Sequence, residues 1–528
     1  SISIIYAGQL LLGALNCVLV FLIAKKFFGS GAGFIAGLLS ATYGIFIFYE
    51  GLLIYSSLSI FLNSLWFLIF LHIKDRLGLA RLFWLGIFLG VCTVTQANII
   101  LLGFMCVFWV IYKEKMRPGV ALKNLSFFFA AVACILAVVA SRNYLVERRF
   151  TLLTGNTGLN FFVGNNPQAG GLFLVPEFLT PTAKGMLDES ASIVRLEAGP
   201  QVKTKEISEF WFEKTVDFIK DNPIVFTKLT LKKLLYLASP NEFIFESEWG
   251  YLRDSVGILK FLFTDLTLIM PFAFLGFFVN LKRWRSTIYL YLGIVSFSLS
   301  ILLFFMQTKF RLVLVPFLII FASSGIYFLW GKIIREKTLA RKFLFIAIAI
   351  SLFLLSLWWR STVVKSVRIG YGVSSSDYYL TQARICKRNG DYKGALEQLK
   401  LAQLSSPDNP ILAYAFGDVY LNMGDYHAAE EIFLKDIKGR PLNINAYYQL
   451  GRTYNLQEDF KGAEELLKRA LNMAPNDPWL HSQLGMAYKG QERDDWAILE
   501  FNKALDNLSP AYKQERAEIE SEIRSLQR

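Results

Sequence analysis

The chain has 528 residues, 54% of them hydrophobic, and a formal charge of +13 at pH 7. The apolar residues crowd before Arg360 in runs of membrane length, which excludes a single soluble core. Lys and Arg fall in short clusters between those runs rather than along one face, which excludes a nucleic-acid surface and points to membrane topology. Cys17, Cys92, Cys106 and Cys134 lie inside apolar runs and Cys386 stands alone in the tail, so no disulfide framework is indicated. His72, His427 and His481 are scattered, so no histidine metal centre and no metal ligand are assigned, while carboxylate-bound Mg or Mn stays open.

Ser1 enters an apolar run with no charged segment before it, and the expectation is that the chain starts inside a longer protein. Spans are expected near 3–23, 31–49, 52–73, 82–97, 98–112, 125–141, 258–280, 287–306, 312–330 and 343–359, with 82–112 forming a tight hairpin. Alternate junctions are basic: Lys25-Lys26, Lys74 to Arg81, Lys113 to Lys123, Lys282 to Arg285 and Lys332 to Lys342. These face the cytoplasm, which puts the turn at Tyr49-Glu50, the segment 142–257 and the tail on the outer side. Four regions follow: membrane helices in 1–141, an outer loop domain in 142–257, membrane helices in 258–360 and a soluble region in 361–528.

The outer loop opens with Arg142-Asn143-Tyr144, then Thr154-Gly155-Asn156-Thr157-Gly158-Leu159-Asn160, then Gly164-Asn165-Asn166-Pro167. Gly and Asn at this density offer open backbone N–H groups and side-chain amides suited to sugar hydroxyls or phosphate oxygens; a plain turn cluster has the same composition. Phe210 to Ile219 and Val225 to Leu237 read as amphipathic helices. Trp211, Phe212 and Phe218 would either meet the membrane surface or pack on the bundle roof. The spans lack the buried charged residues that mark an ion pathway, which disfavours a transporter; Asp265 is the main exception, and one such residue is weak evidence.

In the tail, Ala395, Ala429, Ala463 and Ala497 recur every 34 residues, as do Gly417, Gly451 and Gly485, Tyr420, Tyr454 and Tyr488, and Pro407, Pro441 and Pro475. Small residues let paired helices approach, Tyr fills the gap and Pro halts each second helix. The pattern resembles the tetratricopeptide repeat. Ala383, Asp436 and Ser509-Pro510 depart from it, and helix 511–527 would cover the open end of the stack. The fold class is therefore all-α: a polytopic membrane bundle followed by an α-solenoid of helix pairs.

The order Arg-Asn-Tyr, Asn-x-Gly-x-Asn, Gly-Asn-Asn-Pro resembles the membrane glycosyltransferases related to dolichyl-phosphate-mannose–protein mannosyltransferases, family 39 of the GT-C class. Ala24 to Gly29, Phe48 to Leu53, and Lys309-Phe310-Arg311-Leu312 with Val315-Pro316 agree with it. The resemblance covers residues 1–360 and implies inverting transfer of a sugar from a polyprenyl-phosphate donor to an acceptor on the outer face of a bacterial inner membrane. It implies a donor-phosphate site at Lys309, Arg311 and Arg142, and a substrate loop of Asn143, Asn156, Gly158, Asn160, Gly164, Asn165 and Asn166. The family's usual base lies in the first outer loop, expected upstream of Ser1; Glu50 is the nearest acidic outer-face candidate in the chain, read rather as an acceptor-side or structural group. Gln96-Ala97-Asn98 and Tyr55-Ser56-Ser57 replace charged residues the family often carries. The partners expected are a polyprenyl-phosphate sugar, membrane lipids and a protein on the repeat surface. Two alternatives are an O-antigen ligase or polymerase, and a non-catalytic scaffold that holds partners with its tail.

Overall fold

The computed structural model describes residues 2–75, 78–114, 117–147, 156–173, 176, 179, 183–199, 204–243, 262, 264–367, 376–405, 407, 409, 411–508 and 512–527. The opening of the expected span 258–280, together with Thr154, Gly155, Ser509 and Pro510, lies outside them. The described residues are helical with no strand; the two isolated bridges pair Tyr43 with Thr264 and Leu172 with Met306. Contacts divide the chain into two units, one of residues 1–155, 164–174 and 218–370, the other of 156–163, 175–217 and 371–528. The loop 142–257, expected as a domain of its own, is thus shared between them.

The first unit holds α1 (Ile2–Phe28), α2 (Ser30–Ala41), α3 (Gly44–Glu50), α4 (Ser56–Ile73), α5 (Leu79–Thr95), α6 (Gly103–Lys113) and α7 (Pro118–Glu147). After α8 (Thr157–Gly164), α9 (Ala183–Ala198) and α10 (Thr204–Asp221), it continues with α11 (Pro223–Ala238), α12 (Leu266–Asn280), α13 (Trp284–Leu303), α14 (Val315–Arg335) and α15 (Leu339–Val367). Six helical segments among the described residues are long and apolar enough to cross a membrane, and the 38-residue segment Leu266–Leu303 is broken into α12 and α13 by a 3₁₀ turn at Leu281–Arg283. The expected span 31–49 is instead two short helices, parted at Thr42-Tyr43 where Tyr43 bridges Thr264. The expected hairpin in 82–112 is α5, a 3₁₀ segment Ala97–Leu102 and α6, and the close partner of α5 is α7.

Small residues set the crossings, as lipid-embedded helices require. On α2, Gly33 and Gly37 meet Phe21 and its neighbours on α1; on α5, Gly86 and Gly90 meet the backbone of α7. Gly276 of α12 and Gly325 of α14 sit so close that a Cβ on either would overlap backbone of the other helix. The basic junctions at Lys25-Lys26, Lys74 and Lys113 meet at one end of the unit: Lys26 Nζ donates to Leu71 O (2.7 Å), Trp109 Nε1 to Lys74 O (3.0 Å), and the charges of Lys26, Lys74 and Lys113 all bear on Asp75. Asp265 does not mark an ion pathway. It caps α12 by accepting from Thr267 N and Leu268 N, and pairs with Arg360 at 2.8 Å.

The second unit contains four helix pairs, α16 (Ser376–Arg388) with α17 (Tyr392–Ser405), α18 (Ile411–Met423) with α19 (Tyr426–Gly439), α20 (Ile444–Leu456) with α21 (Phe460–Met473), and α22 (Pro478–Gly490) with α23 (Asp494–Asn507), then α24 (Lys513–Leu526). The period has a physical basis at each end of the pair. Gly417, Gly451 and Gly485 lie against Phe433, Leu467 and Phe501 of the following helix. Asp425 and Asp459 cap α19 and α21 through Ala428 N and Gly462 N. The last helix covers the end of the stack, with Ile519 in the core and Arg516 donating to Leu505 O and Leu508 O. Asp436, at an Ala position of the pattern, is held by Arg440 and by Asn443 Nδ2.

Between the helices of each pair the chain passes through the left-handed region, at Gly390 (φ 78°), Gly424 (79°), Glu458 (63°) and Glu492 (59°). A side chain there costs about 1 kcal/mol, partly offset by the greater freedom of glycine in the unfolded chain. Glu458→Gly and Glu492→Gly are therefore expected to stabilise their repeats by about 0.5 kcal/mol each, read as slower amide exchange in 444–507; faster exchange would contradict this. A pH effect follows from Glu464. Burial pushes its carboxyl up, but hydrogen bonds from Lys468 and Gln491 and the charges of Lys468 and Arg493 outweigh it and bring it down to about 2. A depressed carboxylate stabilises the fold above its unfolded value of about 4.3 and loses that contribution as pH falls toward 2. Exchange in 460–490 should speed up across that window, and Glu464→Gln should flatten the dependence.

Candidate functional site

At the end of the first unit opposite the basic junctions, the turn after α11 is tied to the bundle by one guanidinium. Arg311, in the single helical turn Thr308–Arg311 before α14, is 1% exposed. It donates to Ser239 O (2.9 Å) and Asn241 O, reaches Tyr236 O and Leu237 O at 3.5 Å, and pairs with Glu242 at 2.8 Å. Glu242 also accepts from the Tyr43 hydroxyl and from Thr308 Oγ1 (2.9 Å). Asn241 Nδ2 donates to Arg360 O (3.2 Å), so α15 joins the same knot. The expected phosphate role of Arg311 meets a guanidinium already engaged by backbone carbonyls and a carboxylate.

The Asn-rich loop is used in a similar way. Asn165 Nδ2 donates to Leu303 O (2.8 Å), and its Oδ1 accepts from Lys233 Nζ (2.7 Å), which also donates to Leu302 O (3.2 Å). Lys233 is wholly buried, and loss of solvent pulls its ammonium down to about 7. Asn166 Oδ1 accepts from Gln168 N (2.8 Å), and Gly164 lies against the backbone at Phe304, where a Cβ would overlap it. Arg142 is exposed and donates to the side chain of its neighbour Asn143 (3.2 Å). Asn156, Gly158 and Asn160 belong to the second unit, where Gly158 N donates to Ser208 Oγ (3.0 Å). Of the expected substrate loop, Asn143, Gly164, Asn165 and Asn166 thus fall in the first unit and Asn156, Gly158 and Asn160 in the second. Trp211 is likewise a packed residue rather than a membrane-surface one, its ring 4.6 Å from that of Phe162. By contrast, α11 keeps an exposed apolar face at Ile224, Val225, Leu231, Leu234 and Leu235, the pattern of a helix at a lipid interface.

What remains open at this end is the turn between α3 and α4. Gln9 Nε2 on α1 donates to Leu52 O (2.8 Å) and Ile54 O (3.0 Å) and so fixes the turn. Glu50 is 8% exposed, its carboxyl pressed against Gly13 of α1, with neither a hydrogen bond nor an ion pair among the described residues. Lys309 Nζ stands 4.8 Å over the ring of Tyr55 in the same turn. Gln9 Oε1, Ser40 Oγ, Ser56 Oγ, Ser57 Oγ and Gln96 Nε2 are buried polar atoms with no partner among the described residues. Buried polar atoms of this kind are met by water, an ion or a bound molecule. Among the described residues no three His, Cys, Asp or Glu side chains converge to hold a metal ion.

The second unit has its own hollow, a cavity of about 520 Å³ lined by Arg384, Tyr414, Tyr448, Arg452, Asp477, Trp479 and Tyr512 from the repeats and by Asp188 and Glu189 of α9. Sequence reading placed a partner surface on the repeats but had no signal for Glu242, Lys233 or α9. An acidic residue just after the turn formers Ser239-Pro240-Asn241 was the nearest cue to Glu242.

Models of the tetratricopeptide repeat match residues 412–437 and 444–487. No curated protein matches the chain. Similar solved structures include MamA residues 41-end from Desulfovibrio magneticus RS-1, 27% identical over 29% of this chain and 89% of that one, with a TM-score of 0.24. Another is a thermophilic tetratricopeptide protein of Thermus thermophilus, 22% identical over 27% and 80% of the two chains, TM-score 0.25. Yeast Tom70 is 14% identical over 80% and 91%, TM-score 0.27. The C-terminal region carries tetratricopeptide repeats, a class that generally binds protein partners. The chain as a whole is an all-helical protein with several helices apt to cross a membrane.

Removing Arg311 would leave Glu242 charged and uncompensated in a dry site, a change that costs about 3–5 kcal/mol. Arg311→Ala should lower the melting temperature of the detergent-solubilised chain by several degrees, and Arg311→Lys should not restore it, because a point charge cannot reach several acceptors at once. Wild-type melting in Arg311→Ala would mean the knot is not a stabilising element.

Proposed function

We propose that the chain is a multi-pass transferase of the bacterial inner membrane. It moves a sugar from a polyprenyl phosphate to an acceptor at the outer face, while the repeats hold the acceptor or a partner protein. The observation that carries this reading is Glu50. Among the described residues of the first unit it is the one carboxyl more than nine-tenths buried, and it has no counter-charge. Burying a carboxylate without a partner costs several kcal/mol, so a position that keeps one is better explained by chemistry than by stability. The unpartnered Oε1 of Gln9, whose amide nitrogen holds the turn, and the Ser56 and Ser57 hydroxyls that follow it offer a donor and acceptor set for a polar cargo beside Glu50. The open apolar face of α11 suits an approaching lipid tail.

In this reading Glu50 takes the proton of the acceptor hydroxyl. The acceptor oxygen forms its bond to the anomeric carbon as the bond from that carbon to the phosphate oxygen breaks, with inversion. Lys309, beside Tyr55, faces the negative charge that grows on the leaving phosphate. Arg311 takes a positioning role, holding the turn after α11 rather than the phosphate. That engagement of Arg311 is also the observation that favours the second reading, a membrane scaffold without transfer activity.

The two separate in one assay, release of polyprenyl phosphate from a radiolabelled polyprenyl-phosphate hexose in membranes containing the chain. Wild type should release it, and Glu50→Gln should slow release about 10²–10⁴-fold with a melting temperature no lower than wild type's, because it removes an uncompensated buried charge. No release by wild type would support the scaffold, and equal release by both would remove Glu50 from the chemistry.

A further inference from the structure

The cavity of the second unit is closed partly by a segment that is not a repeat. Helix α9 lies against α20 and α21. Its residues Asp188 and Glu189 line the cavity of about 520 Å³. Asp188, Ala191 and Arg195, which share a face at i, i+3 and i+7, line a second hollow of about 270 Å³ with Ala474, Trp479 and Tyr512. The middle of α9 is buried from Glu189 to Ser192 and again at Val194, so the helix is a packed part of the unit rather than a loose strap.

The repeats meet it with two arginines, with Asp436, which Arg440 neutralises, and with Asp477, which is engaged as the cap of α22. Arg384 and Arg452 occupy the same register two repeats apart, both line the cavity, and neither makes an ion pair among the described residues. The residue at that register between them, Asp418, is neutralised by Lys387. The charges of Asp418, Lys387, Arg452 and Arg384 all bear on the Tyr414 hydroxyl, which places the two arginines and the neutralised Asp418–Lys387 pair around one point. Aromatic rings complete the wall: Tyr448 lies 6.5 Å from Trp479, and Trp479 is edge-on to Tyr512 at 5.5 Å. Two unpaired arginines beside aromatic rings form a surface for a carboxylate-bearing helix, and the acidic pair of α9 is the part of this chain that lines it.

We propose that α9 is a built-in occupant of the repeat groove, and that the partner of the repeats is an acidic amphipathic helix that binds by displacing it. The inference rests on the partner-binding half of the reading above and is independent of sugar transfer. A tethered occupant competes at an effective concentration of the order of millimolar, so an external helix meets a weakened groove until α9 leaves.

The test uses the full chain in detergent micelles and a fluorescent peptide with the sequence of residues 183–198. Ala191→Arg, which overfills the face of α9 toward Ala474 and Trp479, should raise peptide affinity at least ten-fold over wild type. Adding Arg452→Glu should lower it at least ten-fold again, and a peptide carrying Asp188→Lys and Glu189→Lys should not bind. Equal affinity for wild type and Ala191→Arg overturns the displacement, yet leaves the repeats a binding surface. Affinity unchanged by Arg452→Glu overturns the acidic ligand. Should Ala191→Arg fail to fold, amide exchange across 186–196 in Arg452→Glu decides the matter: faster exchange than wild type supports a seated α9, and unchanged exchange overturns it.

Discussion

The structure of the membrane unit depends on the pairing of Arg311 with Glu242. A charge at the end of an apolar bundle needs most of its hydrogen bonds met, and here the two terminal nitrogens of one guanidinium meet backbone carbonyls from Tyr236 to Asn241 together with a carboxylate, while Nε has no partner among the described residues. Through Glu242 the same knot reaches Tyr43 before α3 and Thr308 before α14, and through Asn241 it reaches the end of α15. Helices distant in sequence are thus fixed at one end by polar bonds, while small residues such as Gly276 and Gly325 set their approach along the length. The hydrophobic effect cannot do this in lipid, where apolar side chains gain little by meeting each other.

With that end held, the contrast between neighbouring polar groups becomes informative. Asn165, Asn166, Lys233 and Asp265 all have partners within the protein and act as struts. Glu50 and the hydroxyls of Ser56 and Ser57 have none among the described residues. A turn fixed by Gln9, with a lysine over Tyr55 and an unpaired carboxyl against Gly13, has the properties of a preorganised polar site in a low-dielectric setting. The repeat unit shows the same logic, where Asp418 is balanced by Lys387 while Arg384 and Arg452 make no ion pair among the described residues.

Much of the architecture was legible in the sequence because its signals are periodic or compositional. The 34-residue recurrence of Gly417, Gly451 and Gly485 follows from the need for close helix approach, and the structure puts an aromatic ring or a leucine branch against each. The long apolar helices Ser56–Ile73, Val315–Arg335 and Leu339–Val363 were equally plain, but ten crossings were expected where six membrane-length segments are described, and the break at Thr42-Tyr43 was hidden because it depends on a bridge to Thr264 more than two hundred residues away. The site was far less legible. Asparagine amides bind a sugar hydroxyl and a backbone carbonyl with the same chemistry, so Asn165 gave no sign that its partners would be Leu303 and Lys233. Arg311 stood out as a cation near a headgroup layer, but the carbonyls that engage it come from the chain about seventy residues earlier. Glu50 was visible as an outer-face acid; only its burial distinguishes it.

The most direct test of this account is a density map of the full chain bound to a polyprenyl-phosphate sugar in a lipid nanodisc. The account predicts a phosphate and sugar at the turn between α3 and α4, within reach of Glu50, Lys309 and Tyr55, with the lipid tail along the apolar face of α11. A headgroup at the opposite end, among Lys25, Lys26 and Lys74, or lipid bound only along the outer surface of the bundle, would contradict it.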